Sequence, residues 1–155
     1  MALRVALPSL LFQLSLLINF VAIASSQFQQ CRYIVRVKTG DRQDAGTNSI
    51  ISLRISSPYN SITIDNIEDW GIMGPGHDYF ERGNLDIFSG MGPCLSVCSL
   101  VVTSNGQGNQ PGWYLDYVDI TSIGPKVTFM VNQWLALESP YHLYVNTNLC
   151  SCGKV

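Results

Sequence analysis

The stretch "DYFERGNLDIFSG", residues 78–90, sets two carboxylates, Asp78 and Glu81, beside aromatic residues and glycines. Carboxylates at this spacing can do two things. They can offer oxygen ligands to calcium, a hard cation that takes roughly six to eight oxygens, or they can start and solvate a turn. Hydrolytic chemistry would need a nucleophile beside a base. The sequence has two histidines, His77 and His142, and no Gly-x-Ser-x-Gly elbow. His77 lies next to Asp78, and His142 stands between Tyr141 and Leu143, neither with a recognisable Ser or Cys partner. These residues point to binding and away from an enzyme.

Five cysteines, Cys31, Cys94, Cys98, Cys150 and Cys152, are the other reactive set. Cys-x3-Cys followed by Cys-x-Cys fits no common zinc-finger spacing, so disulfides formed in an oxidising compartment are the better reading. The sequence does not choose the pairing. The preferred expectation joins Cys31 to Cys150 or Cys152, tying the chain ends, and Cys94 to Cys98 across a small loop.

That compartment agrees with the first 24 residues. Arg4 is the only charge before Arg32, and the apolar run ends in Ala22-Ile23-Ala24, small at both positions that a signal peptidase reads. Residues 1–24 are therefore expected to be a secretory signal peptide, and 25–155 a single domain with its core in 31–150. An uncleaved anchor would have to place Pro8, Gln13 and Asn19 in hydrocarbon. Nine Lys and Arg against eleven Asp and Glu give a net charge of −2, which carries no electrostatic footprint for nucleic acid.

The elements that must position the carboxylates are strands. "RYIVRVKT" alternates Tyr33, Val35 and Val37 with Arg36 and Lys38, a period of two. "SIISLRISS", "SITIDNI", "LDIFS", "SLVVTS", "WYLDYVDITS", "KVTFMVNQWLAL" and "YHLYVNT" follow, separated by Gly-, Pro- and Asn-rich breaks. No stretch carries a capped helical stripe. Seven or eight short strands in one domain predict an all-β, two-sheet antiparallel β-sandwich, with a closed barrel as the alternative. In "WYLDYVDITS" the apolar parity changes after Tyr117, which predicts a β-bulge there.

"VKTG", "AGTNSIISLRI", "YFERGNLDIF", "GWYLDYVDI" and "QWLAL", in this order, resemble the PLAT domain shared by polycystins, lipoxygenases and bacterial alpha-toxin. They extend over about Cys31 to Cys150. With the leader, the "MGP" run and the Pro-Cys after "FSG", the chain is most similar to the small stand-alone plant PLAT proteins linked to abiotic stress. The resemblance implies an eight-stranded sandwich and a non-catalytic docking role in the secretory pathway. It implies the endoplasmic reticulum or the extracellular apoplast, with a protein partner, membrane lipid or both, and no enzyme activity. "SCGKV" at the end of the chain is not a Lys-Asp-Glu-Leu-type retention signal.

Carried over position by position, the resemblance gives a calcium set. It consists of the carbonyls of Asp44 and Gly46, the side chain of Asn48, and the carboxylates of Asp78 and Glu81. Asn48 stands where the family often has Asp, and Tyr79 follows Asp78 where relatives carry a second polar residue. Fewer anionic ligands mean a weak site. Calcium-dependent lipid binding is thus the alternative function. Gln43 occupies the place of the first-loop Trp of lipid-binding relatives, so membrane or partner contact falls to Trp70, Ile72 and Met73. Trp70 could instead fold back over the core edge. Trp113 and Trp134 are read as core. Arg32, Arg36, Lys38 and Arg54, read as lying on neighbouring strands, could form one positive stripe or a solvated face.

Overall fold

Alternation builds the first strand: Tyr33, Val35 and Val37 turn inward and are fully buried, while Arg32 and Arg36 face solvent. The computed structural model describes residues 29–151. Its strands are β1 (Gln30–Thr39), β2 (Ile51–Ser56), β3 (Ser61–Ile64), β4 (Leu85–Pro93), β5 (Ser99–Ser104), β6 (Trp113–Thr121), β7 (Val127–Leu135) and β8 (Tyr144–Asn148). They form two four-stranded antiparallel sheets, ordered β4-β1-β6-β7 and β3-β2-β5-β8. This is the all-β sandwich that the strand periodicity predicts, in its open two-sheet form. The leader assigned to residues 1–24, and Cys152, lie outside the described residues.

The core lies between the sheets. Tyr33, Val35, Val37, Phe88, Leu115, Val118, Ile120 and Phe129 come from one side, and Ile51, Leu53, Ile55, Leu100 and Val102 from the other. Trp113 is fully buried, and its indole N–H donates to Thr39 Oγ1 at 3.0 Å, which satisfies its one polar atom. The predicted bulge is present: Lys38 pairs with Tyr117 and Thr39 with Leu115, so Asp116 is the extra residue. Tyr114 and Leu115 are buried before it, and Val118, Asp119 and Ile120 after it. A short element absent from the sequence-based expectation is a single 3-10 turn, Ile67–Trp70. Asn66 caps it, its side-chain oxygen accepting the Glu68 N–H at 3.1 Å.

Three expectations need correction. The disulfides are Cys31–Cys94 and Cys98–Cys150, not an end-to-end bridge with a Cys94–Cys98 loop. Strand register decides this. β1 pairs with β4 so that Cys31 lies opposite Gly92, and β5 pairs with β8 so that Ser99 lies opposite Asn148. Each bridge therefore staples adjacent strands within one sheet. The basic residues do not form one stripe, because β1 belongs to one sheet and β2 to the other. Val35 and Val37 face the core from β1 and Leu53 and Ile55 face it from β2, so Arg36 and Arg54 point out of opposite faces. Trp134 is only half-buried; it packs edge-on against Tyr114, ring centroids 5.4 Å apart, at the margin of the sandwich.

Candidate functional site

Between the 3-10 turn and β4 the chain runs irregularly, and one buried carboxylate organises it. Asp86 on β4 has no solvent exposure. Its Oδ2 accepts the Phe80 N–H at 2.7 Å, and its Oδ1 accepts from His77 Nε2, also at 2.7 Å. A buried carboxylate demands such partners, because desolvating it without them costs several kcal/mol. Phe80 has a left-handed backbone, φ 62°, which an L-residue adopts at a cost of about 1–2 kcal/mol. Its ring offsets that cost: it is buried, stacked on Phe88 at 5.8 Å and edge-on to Trp113 at 5.2 Å. Asp86 thus fixes the peptide of the "YFERG" turn while Phe80 anchors it in the core.

The same turn is joined to the first loop. Gly83 N–H donates to the Gly40 carbonyl at 3.1 Å, and Thr47 N–H to the Phe80 carbonyl at 3.3 Å. Arg82 Nε lies 2.7 Å from Asp41 Oδ1. A Cβ on Gly46 would stand 3.3 Å from Glu81 Oε2, so the absence of a side chain lets the two segments close. Loop and acidic turn therefore meet at one end of the sandwich.

Of the residues singled out from the sequence, Gly46 and Glu81 are brought together. Asp44 is exposed, with φ 58°, and lines a cavity with Trp134 and Glu138. Asn48 is exposed, and its carbonyl faces Gly108, where a Cβ would sit 3.1 Å from the oxygen. Asp78 is exposed and is felt by Glu68: burial first, then the carboxylates of Asp78, Asp69 and Asp86, hold the Glu68 carboxyl above its ordinary range. Among the described residues, no group of three or more His, Cys, Asp or Glu side chains is placed to hold a metal ion.

Trp70 folds back. Its ring lies over Gly90, where a Cβ would sit 2.1 Å from Cδ2 and Cε2, and 6.0 Å from the Tyr33 ring. Ile72 and Met73 remain exposed, 56% and 40%, next to the strand end that leads to the acidic turn. Ile72 N–H donates to the Ile87 carbonyl, and Met73 N–H to the Tyr79 hydroxyl at 3.2 Å, so their backbone is held while their side chains project. Asp86 and Glu68 are the residues that sequence reasoning passed over.

The PLAT/LH2 domain family matches residues 33–147. PLAT domain-containing protein 2 of Arabidopsis thaliana is 47% identical over 143 residues, covering 86% of this chain and 78% of the relative. Coral 8R-lipoxygenase, described in terms of calcium activation via a C2-like domain, is similar in structure, with a TM-score of 0.59 and 23% identity. The match covers 76% of this chain and 16% of the lipoxygenase. A calcium-dependent 11R-lipoxygenase gives a TM-score of 0.54 at 21% identity, covering 76% of this chain and 17% of that one. These enzymes share the sandwich with this chain, which spans a small part of their length.

Proposed function

Because the chain belongs to the PLAT/LH2 domain family, we propose that it is a non-catalytic docking module of the secretory pathway that presents its loop-and-turn end to a membrane surface. The observation that carries this reading is the meeting of the first loop with the acidic turn at that end, Glu81 beside Gly46, next to exposed Ile72 and Met73. Apolar side chains supply the area that enters a lipid interface. The carboxylates oppose an anionic surface until a cation lies between them. Calcium would supply that cation, with Glu81 and Gly46, which the fold brings side by side, among its donors. With no cluster of three ligating side chains among the described residues, such a site would lean on backbone oxygens and bind weakly. The calcium dependence described for the two lipoxygenases supports the same reading. The two disulfides suit an oxidising lumen. Residues 1–24 as a cleaved leader, residence in the endoplasmic reticulum or apoplast, and an association with abiotic stress belong to this proposal through the resemblance to plant relatives.

A protein partner is the second reading. It is favoured by β8, an edge strand of its sheet that exposes Tyr144, with exposed Leu149 just beyond it. The two readings separate in one experiment: calcium calorimetry and co-sedimentation with phosphatidylcholine–phosphatidylserine vesicles, on the wild type, Asp78→Ala/Glu81→Ala and Ile72→Ser/Met73→Ser. Docking to membranes predicts calcium-dependent pelleting that both double variants lose. Pelleting that is absent in the wild type, or indifferent to both pairs, moves the function to a protein partner.

A further inference from the structure

Away from the acidic turn, a cavity of about 390 Å³ opens where the first loop, the approach to β6 and the end of β7 meet. Its lining joins aromatic rings, carboxylates and the amide of Gln110, with Gly112 and Ala136 between them. Trp134 and Tyr141 are aromatic, and Asp44 and Glu138 are carboxylates. No lysine, arginine or histidine is among the described residues that line it.

The backbone that carries each part is held in place. Asp44 lies in a turn closed by Ala45 N–H to the Arg42 carbonyl, with the left-handed φ of 58° noted above. Glu138 and Tyr141 share another turn, in which Tyr141 N–H donates to the Glu138 carbonyl at 2.9 Å. A bridge from Leu135 to His142 pins that turn to the end of β7. Trp134 is set by its edge-on contact with Tyr114. The floor is open because residue 112 is glycine: a Cβ there would only reach ordinary contact, 3.7 Å from Ala136 Cβ and 3.9 Å from Trp134 Cε3.

The ligand class follows from what these walls can stabilise. Two carboxylates oppose an anion, and a neutral solute uses them only as hydrogen-bond acceptors and leaves their charge uncompensated. A calcium ion needs more oxygens than two carboxylates and gains nothing from indole. A bulky, weakly hydrated organic cation uses both, since an aromatic face attracts it through the ring quadrupole and the carboxylates neutralise it. The same aromatic cluster already carries one such cation: the Arg42 guanidinium lies 4.1 Å from the Tyr114 ring centroid. Its like charge opposes a second cation. With Asp44 and Glu138 against Arg42, two negative charges face one positive, and the balance still favours a cation.

We propose that this cavity binds an organic ammonium group of the trimethylammonium type, with Trp134 and Tyr141 as walls and Asp44 and Glu138 as charge partners. The inference does not depend on the docking reading. The group could reach the cavity as a lipid headgroup or as a free solute. Tetramethylammonium chloride is the probe, titrated calorimetrically into the purified protein against sodium chloride at matched ionic strength. Saturable heat is expected. Trp134→Ala should weaken binding about ten-fold, since loss of a cation–π contact in a partly desolvated site is of that order. Glu138→Gln should weaken it several-fold and flatten its salt dependence. Gly112→Leu fills the floor against Ala136 and the Trp134 ring, and should abolish binding while the thermal midpoint shows a folded chain. Phosphatidylcholine vesicles then identify the source. Pelleting that tetramethylammonium competes away marks a lipid headgroup, and heat without pelleting marks a free solute. No saturable heat in the wild type, or affinity unchanged in both Trp134→Ala and Gly112→Leu, overturns the proposal. Asp78→Ala/Glu81→Ala should leave this affinity intact, so a failure here and a failure of the membrane reading are told apart.

Discussion

Replacing Asp86 with alanine is expected to loosen the acidic turn and cost about 2–4 kcal/mol. Two partners lose their acceptor, and they lose it unequally. The Phe80 N–H is buried, and an orphaned buried donor costs about 1–3 kcal/mol. His77 is partly exposed, 23% by its side chain, so water can replace the carboxylate at its ring and little of the loss falls there. The lost charge-assisted bond to Phe80 and a small void account for the remainder. At a urea slope of roughly 1.5 kcal/mol/M, a loss of 3 kcal/mol would lower the midpoint by about 2 M with the slope unchanged. Asp86→Asn keeps one oxygen for the Phe80 N–H, and its cost should be smaller, on the order of 1 kcal/mol. Chemical denaturation of both variants, with His77→Ala and Asp86→Ala/His77→Ala completing a double-mutant cycle, tests the partition. A loss below about 1 kcal/mol in Asp86→Ala, or equal losses in the alanine and asparagine variants, would refute the claim that this carboxylate holds the turn through Phe80.

Gly90→Ala sets a Cβ 2.1 Å from the Trp70 ring; it should lift the indole from the core edge, cost about 1–3 kcal/mol and red-shift the tryptophan emission, whereas an unchanged spectrum would contradict the packing. Cys98→Ser/Cys150→Ser opens a link across 52 residues; chain entropy sets the expected loss at about 4 kcal/mol, read as a lower denaturation midpoint that reductant no longer changes at this bridge. The raised Glu68 carboxyl favours the protonated folded state, so its stability is present below the ordinary carboxylate range and lost as pH rises through the folded value. Glu68→Gln should therefore raise the thermal midpoint at neutral pH and lose that advantage in acid; a variant with equal gain at both would deny the carboxylate crowding.

Strand periodicity reported the fold well because a period of two follows directly from which side chains must avoid water. Tyr33, Val35 and Val37 could be assigned inward without any partner strand, and the parity change in "WYLDYVDITS" located the bulge to within one residue. The same rule could have found Asp86. In "LDIF" the inward residue is Phe88, so the residue two before it also points inward, and an aspartate there must be hydrogen-bonded. Glu68 had no such signal, because its neighbours Asp78 and Asp86 come from later segments that only the folded turn brings near.

Two of the errors share one cause. Periodicity says which face a residue occupies; it does not say which strand lies alongside. The basic stripe assumed that strands consecutive in sequence are neighbours, yet β1 and β2 lie in different sheets. The end-to-end disulfide assumed that cysteines near the termini meet, yet the register of β1 on β4 and of β5 on β8 fixes different pairs. Trp134 was assigned to the core from its strand pattern, but its neighbour Leu135 is the buried residue opposite Trp113, so Trp134 lies on the other face of edge strand β7, against Tyr114. An aromatic residue in that position is half-covered, and the uncovered half becomes the wall of a cavity. Binding chemistry in this sandwich therefore gathers where strand order leaves a strand end or a loop without a partner. Sequence patterns give no account of such places until the order of the strands is known.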